Sequence, residues 1–412
     1  LSFELTELGW QQVNNDLNNI IPFIEIDFSN LPDQVLELAI SSTATQIQSS
    51  FSLDTEPLIK IAWFNLGNHR SSRLLIVMHH LVIDGLSWRI FLEDLQIVYQ
   101  QINQNKEILL PQKTTSFKYW SEQLQSYVNS ELITSKLDEY LTMFNNSISP
   151  LPVDLPTGEN IMSEAETLSL NFSEEDTQRL LKEIPSRHQI QINEVLIAAL
   201  VQTFETLIGQ KKLLIELEGH GRENLFEDVD LSRTIGWFTT LFPVVFDLSK
   251  AENNLEAINR IKEQLNNISD HGINYGILRY LGDKAIKKQL KNLPNAEIRF
   301  NYFGQFNNLF TPKSTFKIAK EPSGNARSKR DKRSCLIEIN SLIMNNQLRI
   351  DWTFSKSVCL QETIDKLMDN FSDKLQDIIN YCLFREEREY TPLDFPKMDF
   401  TPEELDDFLS DL

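Results

Sequence analysis

The sequence predicts an α/β fold, and three observations predict it. Short apolar runs rich in Ile, Val, Leu and Phe recur along the chain. Between them lie longer segments whose apolar residues repeat at helical spacing. Hydrophobic residues make up 41% of the 412 and charged residues 24%, enough apolar material for a sizeable core with an ordinary solvated surface.

In chain order, 57–64 and 74–78 read as neighbouring strands joined by the polar loop 65–72. A helix follows from Trp88 to about Ile102, with Ile90, Phe91, Leu95 and Val98 on one stripe and Ser87 as its expected N-cap. Helical segments carry Trp120, Leu124 and Tyr127, then Leu137, Tyr140 and Leu141. Pro150, Pro152, Pro156 and Gly158 then break the pattern, and a subdomain boundary is expected there. The organisation expected is 1–160, 161–388 and an acidic tail, 389–412.

The second part opens with a strand at 167–172 and a helix capped by Ser173. The apolar helix 192–208 ends at Gly209, a residue suited to closing a helix. Strands are expected at 212–217, 243–246 and 298–302, with a helix over 255–266. Alternation on both sides of Asn345-Asn346 signals a hairpin, and a helix is expected from Gln361 to Phe384. Thr401 and Pro402 can open one short helix in the tail, whose composition otherwise reads as a linker.

A net charge of -20 argues against nucleic acid and against anionic membrane surfaces as partners. No apolar run approaches a membrane span. Cys335, Cys359 and Cys382 are widely spaced, which fits a reducing, cytoplasmic setting with no disulfide framework. No metal-ligand spacing and no phosphate loop is visible. The chain begins Leu1-Ser2-Phe3 and is expected to be a piece of something longer.

Four segments are candidates for chemistry. His79-His80 leaves a strand end with Asp84, Gly85, Ser87 and Trp88 behind it. Adjacent strand residues face opposite ways, so one imidazole faces a cleft and the other packs; His80 is chosen for the cleft. Asp84 is expected to brace the turn through backbone N–H groups or an arginine. Gly85 is expected to supply a backbone angle that other residues resist. The second segment is Glu218-Gly219-His220-Gly221-Arg222, with Glu218 a general acid or base and His220 and Arg222 its charge-setting partners, or else a surface turn with its own ion pair. The third is Phe300-Asn301-Tyr302-Phe303-Gly304-Gln305, in which either Asn301 or Tyr302 can donate into a cleft. The fourth is the basic loop 327–333, an exposed loop whose functional reading is a contact for an acidic partner or a phosphate.

Together these segments resemble the condensation-type domains of non-ribosomal peptide synthetases, within the acyltransferase superfamily marked by H-x-x-x-D. The form ending Ser87-Trp88, with Leu86 where condensation domains tend to carry tryptophan, resembles the epimerization branch. Glu218 to Glu223 is similar to that branch's E-G-H-G-R-E motif. Arg233 to Thr239 is similar to R-T-V-G-W-F-T, Phe300 to Gln305 to F-N-Y-L-G-Q, and Asn274-Tyr275-Gly276 more weakly to a G-Y-G element. The family's N-terminal motif, roughly P-I-Q-x-W-F, is absent.

The resemblance implies two chloramphenicol-acetyltransferase-like subdomains in a V with a tunnel between them. It implies a substrate carried as an aminoacyl or peptidyl thioester on the 4′-phosphopantetheine of a carrier protein, inverted from L to D at Cα. No cofactor of the domain's own is implied. The implied partners are an upstream peptidyl carrier domain and, through the tail, a downstream condensation domain or the next protein of the synthetase. Removing and returning the Cα proton asks for two titratable groups, and His80 and Glu218 are the expected pair. Tyr302 and Asn301 are candidates to hold or reprotonate the enolate. His79, Asp84, Gly85, Ser87, Trp88, His220 and Arg222 are support. A peptide-bond-forming condensation domain and a catalytically inactive carrier-docking module remain the alternatives.

Overall fold

A computed structural model describes residues 2–7, 9–13, 22–54, 57–144, 148–305 and 314–384. The tail expected at 389–412 lies outside the described residues. The chain divides into two compact units. The first draws on Leu1–Leu124, Asn224–Thr239 and Asn308–Asp331. The second draws on Gln125–Glu223, Thr240–Asn307 and the described residues from Lys332 on. Two segments within the expected second subdomain thus belong to the first unit. Residues 125–160 belong to the second unit.

In the first unit, β1 (Ser2–Thr6) and β2 (Gly9–Val13) form a hairpin. Next come β3 (Phe23–Asp27), α1 (Asp33–Ser49), β4 (Ile59–Asn65) and β5 (Arg73–Met78). β3 pairs parallel with β4, so α1 is a crossover helix, and β4 pairs antiparallel with β5. Leu36, Ile40 and Ile47 of α1 pack on Ala62 and Phe64 of β4, with Ile26, Leu75 and Val77 at the margins. All of these sheet residues share one face, as the two-residue period requires. β5 ends at Met78 and gives way to a 3-10 turn, His80–Val82, and then α2 (Gly85–Asn103). The chain continues through α3 (Phe117–Tyr127) into the second unit.

The second unit opens with two short helices, α4 (Glu131–Ser135) and α5 (Leu137–Met143). β6 (Ala165–Asn171) follows. α6 (Glu174–Gln178) and α7 (Ile184–His188) are joined through one π-helical turn. Then come α8 (Ile192–Ile208), β7 (Lys212–Gly219), β8 (Thr240–Asp247) and α9 (Asn254–Asn266). α10 (Ile273–Leu281) and α11 (Lys284–Lys291) precede β9 (Ile298–Gln305), β10 (Ile337–Met344), β11 (Gln347–Ser355) and α12 (Gln361–Phe384).

Six strands form one mixed sheet in the order β6-β11-β10-β9-β7-β8. β9 pairs parallel with both β7 and β10; the remaining pairs are antiparallel. Pro243 sits in the edge strand β8, where its missing N–H interrupts no ladder. The Asn345-Asn346 hairpin forms as expected, with both residues at positive φ (53° and 63°), as a two-residue turn of this kind requires.

The sheet has two unlike faces. Leu213, Ile215 and Leu217 of β7, Phe300 of β9, Ile339 of β10, and Ile350, Trp352 and Phe354 of β11 face a core that also holds α8, α9 and α12. Trp352 stacks on Phe204 of α8 at 6.1 Å and meets Phe371 of α12 edge-on at 5.9 Å. On the opposite face lie the alternate residues, which pair with one another: Glu216 with Arg299, Glu218 with Asn301, and Ser169 with Asp351. The alternation Ile215-Glu216-Leu217-Glu218 in β7 is what places Glu218 on a polar face above a fully apolar one.

Candidate active site

The turn after β5 is held by its own side chains. His79 caps the 3-10 turn: its Nδ1 accepts the N–H of Leu81 at 3.2 Å, and its ring meets Phe51 edge-on. Burial, with a smaller contribution from the charge of His80, holds the His79 imidazole below its ordinary value. An imidazole that accepts at Nδ1 and resists protonation suits a structural post. His80 is exposed, with its ring 5.0 Å from that of Trp237.

Asp84 and Ser87 depart from expectation in one respect. Asp84, and not Ser87, caps α2, its Oδ1 accepting the Ser87 N–H at 2.7 Å. Its Oδ2 accepts the Phe238 N–H at 3.0 Å, so the carboxylate braces the turn through backbone N–H groups, as expected from the sequence. Ser87 lies inside the first turn of the helix. Its hydroxyl donates to the Gly236 carbonyl at 2.9 Å and accepts the Gly236 N–H at 3.1 Å. Gly85 is also corrected: its φ is not positive, and a Cβ there would meet nothing within 4 Å. The extended backbone of the Asp84 cap makes the change of direction, so Gly85 simply opens the helix. Trp88 is half-buried and meets Phe91 edge-on at 6.0 Å, one turn along α2.

The partner of this turn is the segment 233–239, a seat whose role sequence reasoning missed. Arg233 pairs with Asp94 at 2.5 Å, and Thr234 bonds the Thr115 carbonyl at 2.6 Å. Gly236 lies so close to Phe117 that a Cβ would come within 2.4 Å of its ring. Only glycine allows the peptide of residue 236 to reach Ser87 there. Trp237 is thereby set beside His80. The signal was present, since a Gly-Trp-Phe run after an arginine fits no regular element, but its partner lies about 150 residues away, as the Ser87–Gly236 separation of 149 shows.

In the second unit, Glu218 stands near the end of β7 and its Oε2 accepts from Nδ2 of Asn301 on β9 at 2.5 Å. The parallel register Leu217–Phe300 makes them neighbours. Asn301 is itself held through its carbonyl, which accepts from Ser341 Oγ at 3.0 Å. Tyr302 leaves β9 on the other face, and its ring packs at the margin of the apolar core. Its hydroxyl has no hydrogen-bond partner among the described residues. Burial pushes the phenol up to about 12, so it is a neutral donor throughout the physiological range.

His220 is exposed, and its Nδ1 accepts the Arg222 N–H at 3.0 Å. The same nitrogen lies 3.4 Å from a Glu223 carboxylate oxygen. His220 shapes the turn after β7 by the same device His79 uses after β5. Among the described residues no cluster of three or more His, Cys, Asp or Glu has the arrangement of a metal site. No described helix is long and apolar enough to cross a membrane.

Residues 2–400 match the condensation-domain family model. One of the linear gramicidin synthase proteins of Brevibacillus parabrevis is 38% identical over 99% of this chain, which spans 5% of that protein's length. Gramicidin S synthase 1 of Brevibacillus brevis is 33% identical over 96% of the chain, which spans 36% of it. Among solved structures, the epimerization domain from the third module of tyrocidine synthetase B superposes with a TM-score of 0.86 at 32% identity, covering 93% of this chain and 86% of that one. The X-domain from teicoplanin biosynthesis shares the fold at 15% identity, with a TM-score of 0.67. The match over nearly the whole chain, together with the likeness to an epimerization domain, places the turn after β5 and the end of β7 within a known architecture: the chain belongs to the condensation-domain family of non-ribosomal peptide synthetases.

Proposed function

We propose that the chain epimerizes, L to D, the Cα of an aminoacyl or peptidyl thioester carried on the 4′-phosphopantetheine of a carrier protein. The observation that carries this reading is the presentation of Glu218. A carboxylate at a strand end, on the polar face of the sheet and oriented by the Asn301 amide, is a prepared proton acceptor or donor. The 32% identity to an epimerization domain supports the same reading.

The reaction moves one proton. A base takes it from Cα, the electron pair passes into the thioester carbonyl as an enolate, and an acid returns a proton to the opposite face. His80 and Glu218 are the titratable groups proposed for the two faces. His80 is exposed and steadied by Trp237, with His79, Asp84, Ser87 and Trp88 holding its turn. The phenol of Tyr302 lies on the core face of β9, opposite Asn301 and Glu218, and is not placed in the proposed pair. Asn301 orients Glu218, and His220 shapes the turn that carries Arg222.

The experiment is Cα exchange in deuterated solvent, with chiral analysis of the released residue, on a carrier loaded with an L-aminoacyl group. His80→Ala and Glu218→Ala should each abolish inversion while circular dichroism stays native. Near-parental racemisation by either variant overturns the assignment. The family description itself favours one rival, a condensing enzyme. That enzyme needs two loaded carriers and would leave a single one unexchanged.

A further inference from the structure

We propose that residues 317–331 form a prepositioned basic strap that docks an acidic protein surface. Resting on the function proposed for the chain, we assign that surface to the carrier that presents the thioester. The segment carries Lys317, Lys320, Arg327, Lys329 and Arg330 against two acids, Glu321 and Asp331, in a chain of net charge -20. All five cations are exposed.

The strap has no regular secondary structure, yet it is fastened to the first unit from Phe316 to Asn325, and a turn follows at 328–331. Phe316 meets Tyr99 of α2 edge-on at 5.4 Å. Glu321 takes a two-bonded contact from Arg73 of β5, at 2.8 Å for each bond, which also neutralises that acid within the strap. The Ser323 carbonyl accepts from Gln48 at 2.6 Å, and the Asn325 N–H donates to Thr45 Oγ1 at 3.0 Å. Between them Gly324, at φ +84°, lies so close to α1 that a Cβ would come within 2.5 Å of the Thr45 nitrogen. The cost of ordering this surface is thus met in folding rather than at the moment of docking.

The chemistry separates two anionic occupants. A phosphate site gathers backbone N–H groups around one point. Here the turn's N–H groups are already used: Arg330 N–H on Ser328 Oγ and Asp331 N–H on the Ser328 carbonyl, both at 3.2 Å. What the strap offers outward is a row of long cationic side chains, suited to carboxylates spread over a surface. On so acidic a chain, a local positive strap also sets the orientation of approach, because an acidic partner is repelled elsewhere.

The test is the double substitution Lys329→Glu/Arg330→Glu, at two exposed residues with no role assigned in the chemistry. Two substrates are compared: the loaded carrier domain that adjoins this chain in its synthetase, and the same aminoacyl group on free pantetheine. The expected result is a rise in KM for the carrier of about tenfold or more, with turnover of the pantetheine thioester unchanged. Raising salt from about 0.05 to 0.5 M should weaken the parent toward the variant. An unchanged KM for the carrier overturns the proposal. So does competition by millimolar inorganic phosphate that abolishes carrier binding, because the strap would then be a phosphate site. Carrier binding is also read by fluorescence anisotropy. If neither substrate exchanges at Cα, the epimerase reading fails while anisotropy still decides the docking claim.

Discussion

The Asp84 carboxylate accepts the Phe238 N–H at 3.0 Å through one oxygen and caps α2 through the other. One buried side chain thus joins the turn carrying His80 to the segment carrying Trp237. Both of its carboxylate oxygens accept backbone N–H groups.

Truncating that carboxylate leaves two N–H groups without this acceptor. Asp84→Ala is expected to cost about 1–3 kcal/mol of stability. Asp84→Asn keeps one acceptor oxygen and should cost less. Urea midpoints at a single pH measure both. Equal losses for the two variants would show that charge, and not acceptor geometry, holds the turn.

Asn301 holds Glu218 through its amide. Asn301→Asp sets a second carboxylate against the first, and like charges favour protonation of one of them. The acid limb of the exchange-rate profile should move to higher pH. Asn301→Ala should lower the rate with little movement of that limb, since it removes an orienting donor without adding charge. A profile unmoved in Asn301→Asp would show that Glu218 does not titrate in the rate-limiting step.

The Tyr302 ring packs at the margin of the apolar core, on the opposite face of β9 from Asn301 and Glu218, and its hydroxyl has no bond within the described residues. Tyr302→Phe keeps that packing, so thermal stability is expected to change by less than about 1 kcal/mol and exchange at Cα to stay within a few-fold of the parent. Because the phenol stays neutral up to about 12, the parent should show no Tyr302-dependent limb at neutral pH. A loss of exchange of about tenfold or more with stability unchanged would place the phenol in the chemistry.

His79 links stability to pH. Its folded value lies below the ordinary 6.5, through burial first and the neighbouring His80 second. As pH falls through 6.5 the unfolded chain takes up the proton first. The stability contributed by the neutral ring is present above that pH and lost as pH falls through the folded value. His79→Gln should flatten the dependence of the urea midpoint on pH between about 5 and 7. A slope unchanged in the variant would assign the effect to another group.

Much of the fold is legible in the sequence because local periodicity and capping agree with it. The helices Ile192–Ile208 and Gln361–Phe384 and the two-asparagine hairpin form where their patterns place them. Less is legible ahead of residue 57, where β3 and α1 carry no clear local signal. The apolar residues of α1 are interleaved with Ser, Thr and Gln, and the helix shows its stripe only against the β4 sheet. The cap of α2 falls three residues before the one the pattern suggests, because Ser and Asp are both good caps. Only the distant peptide of Gly236 claims the serine hydroxyl.

By itself the sequence determined which side chains stand at the ends of β5 and β7. Strand alternation and helix periodicity are properties of neighbouring residues, and they put His80 past one strand end and Glu218 on a polar face. Tertiary structure alone decided what holds them. The seat of His80 is Trp237, the brace of its turn is Phe238, and the partner of Glu218 is Asn301. Each of those contacts closes a loop of at least 83 residues, and no local pattern encodes a partner at that separation.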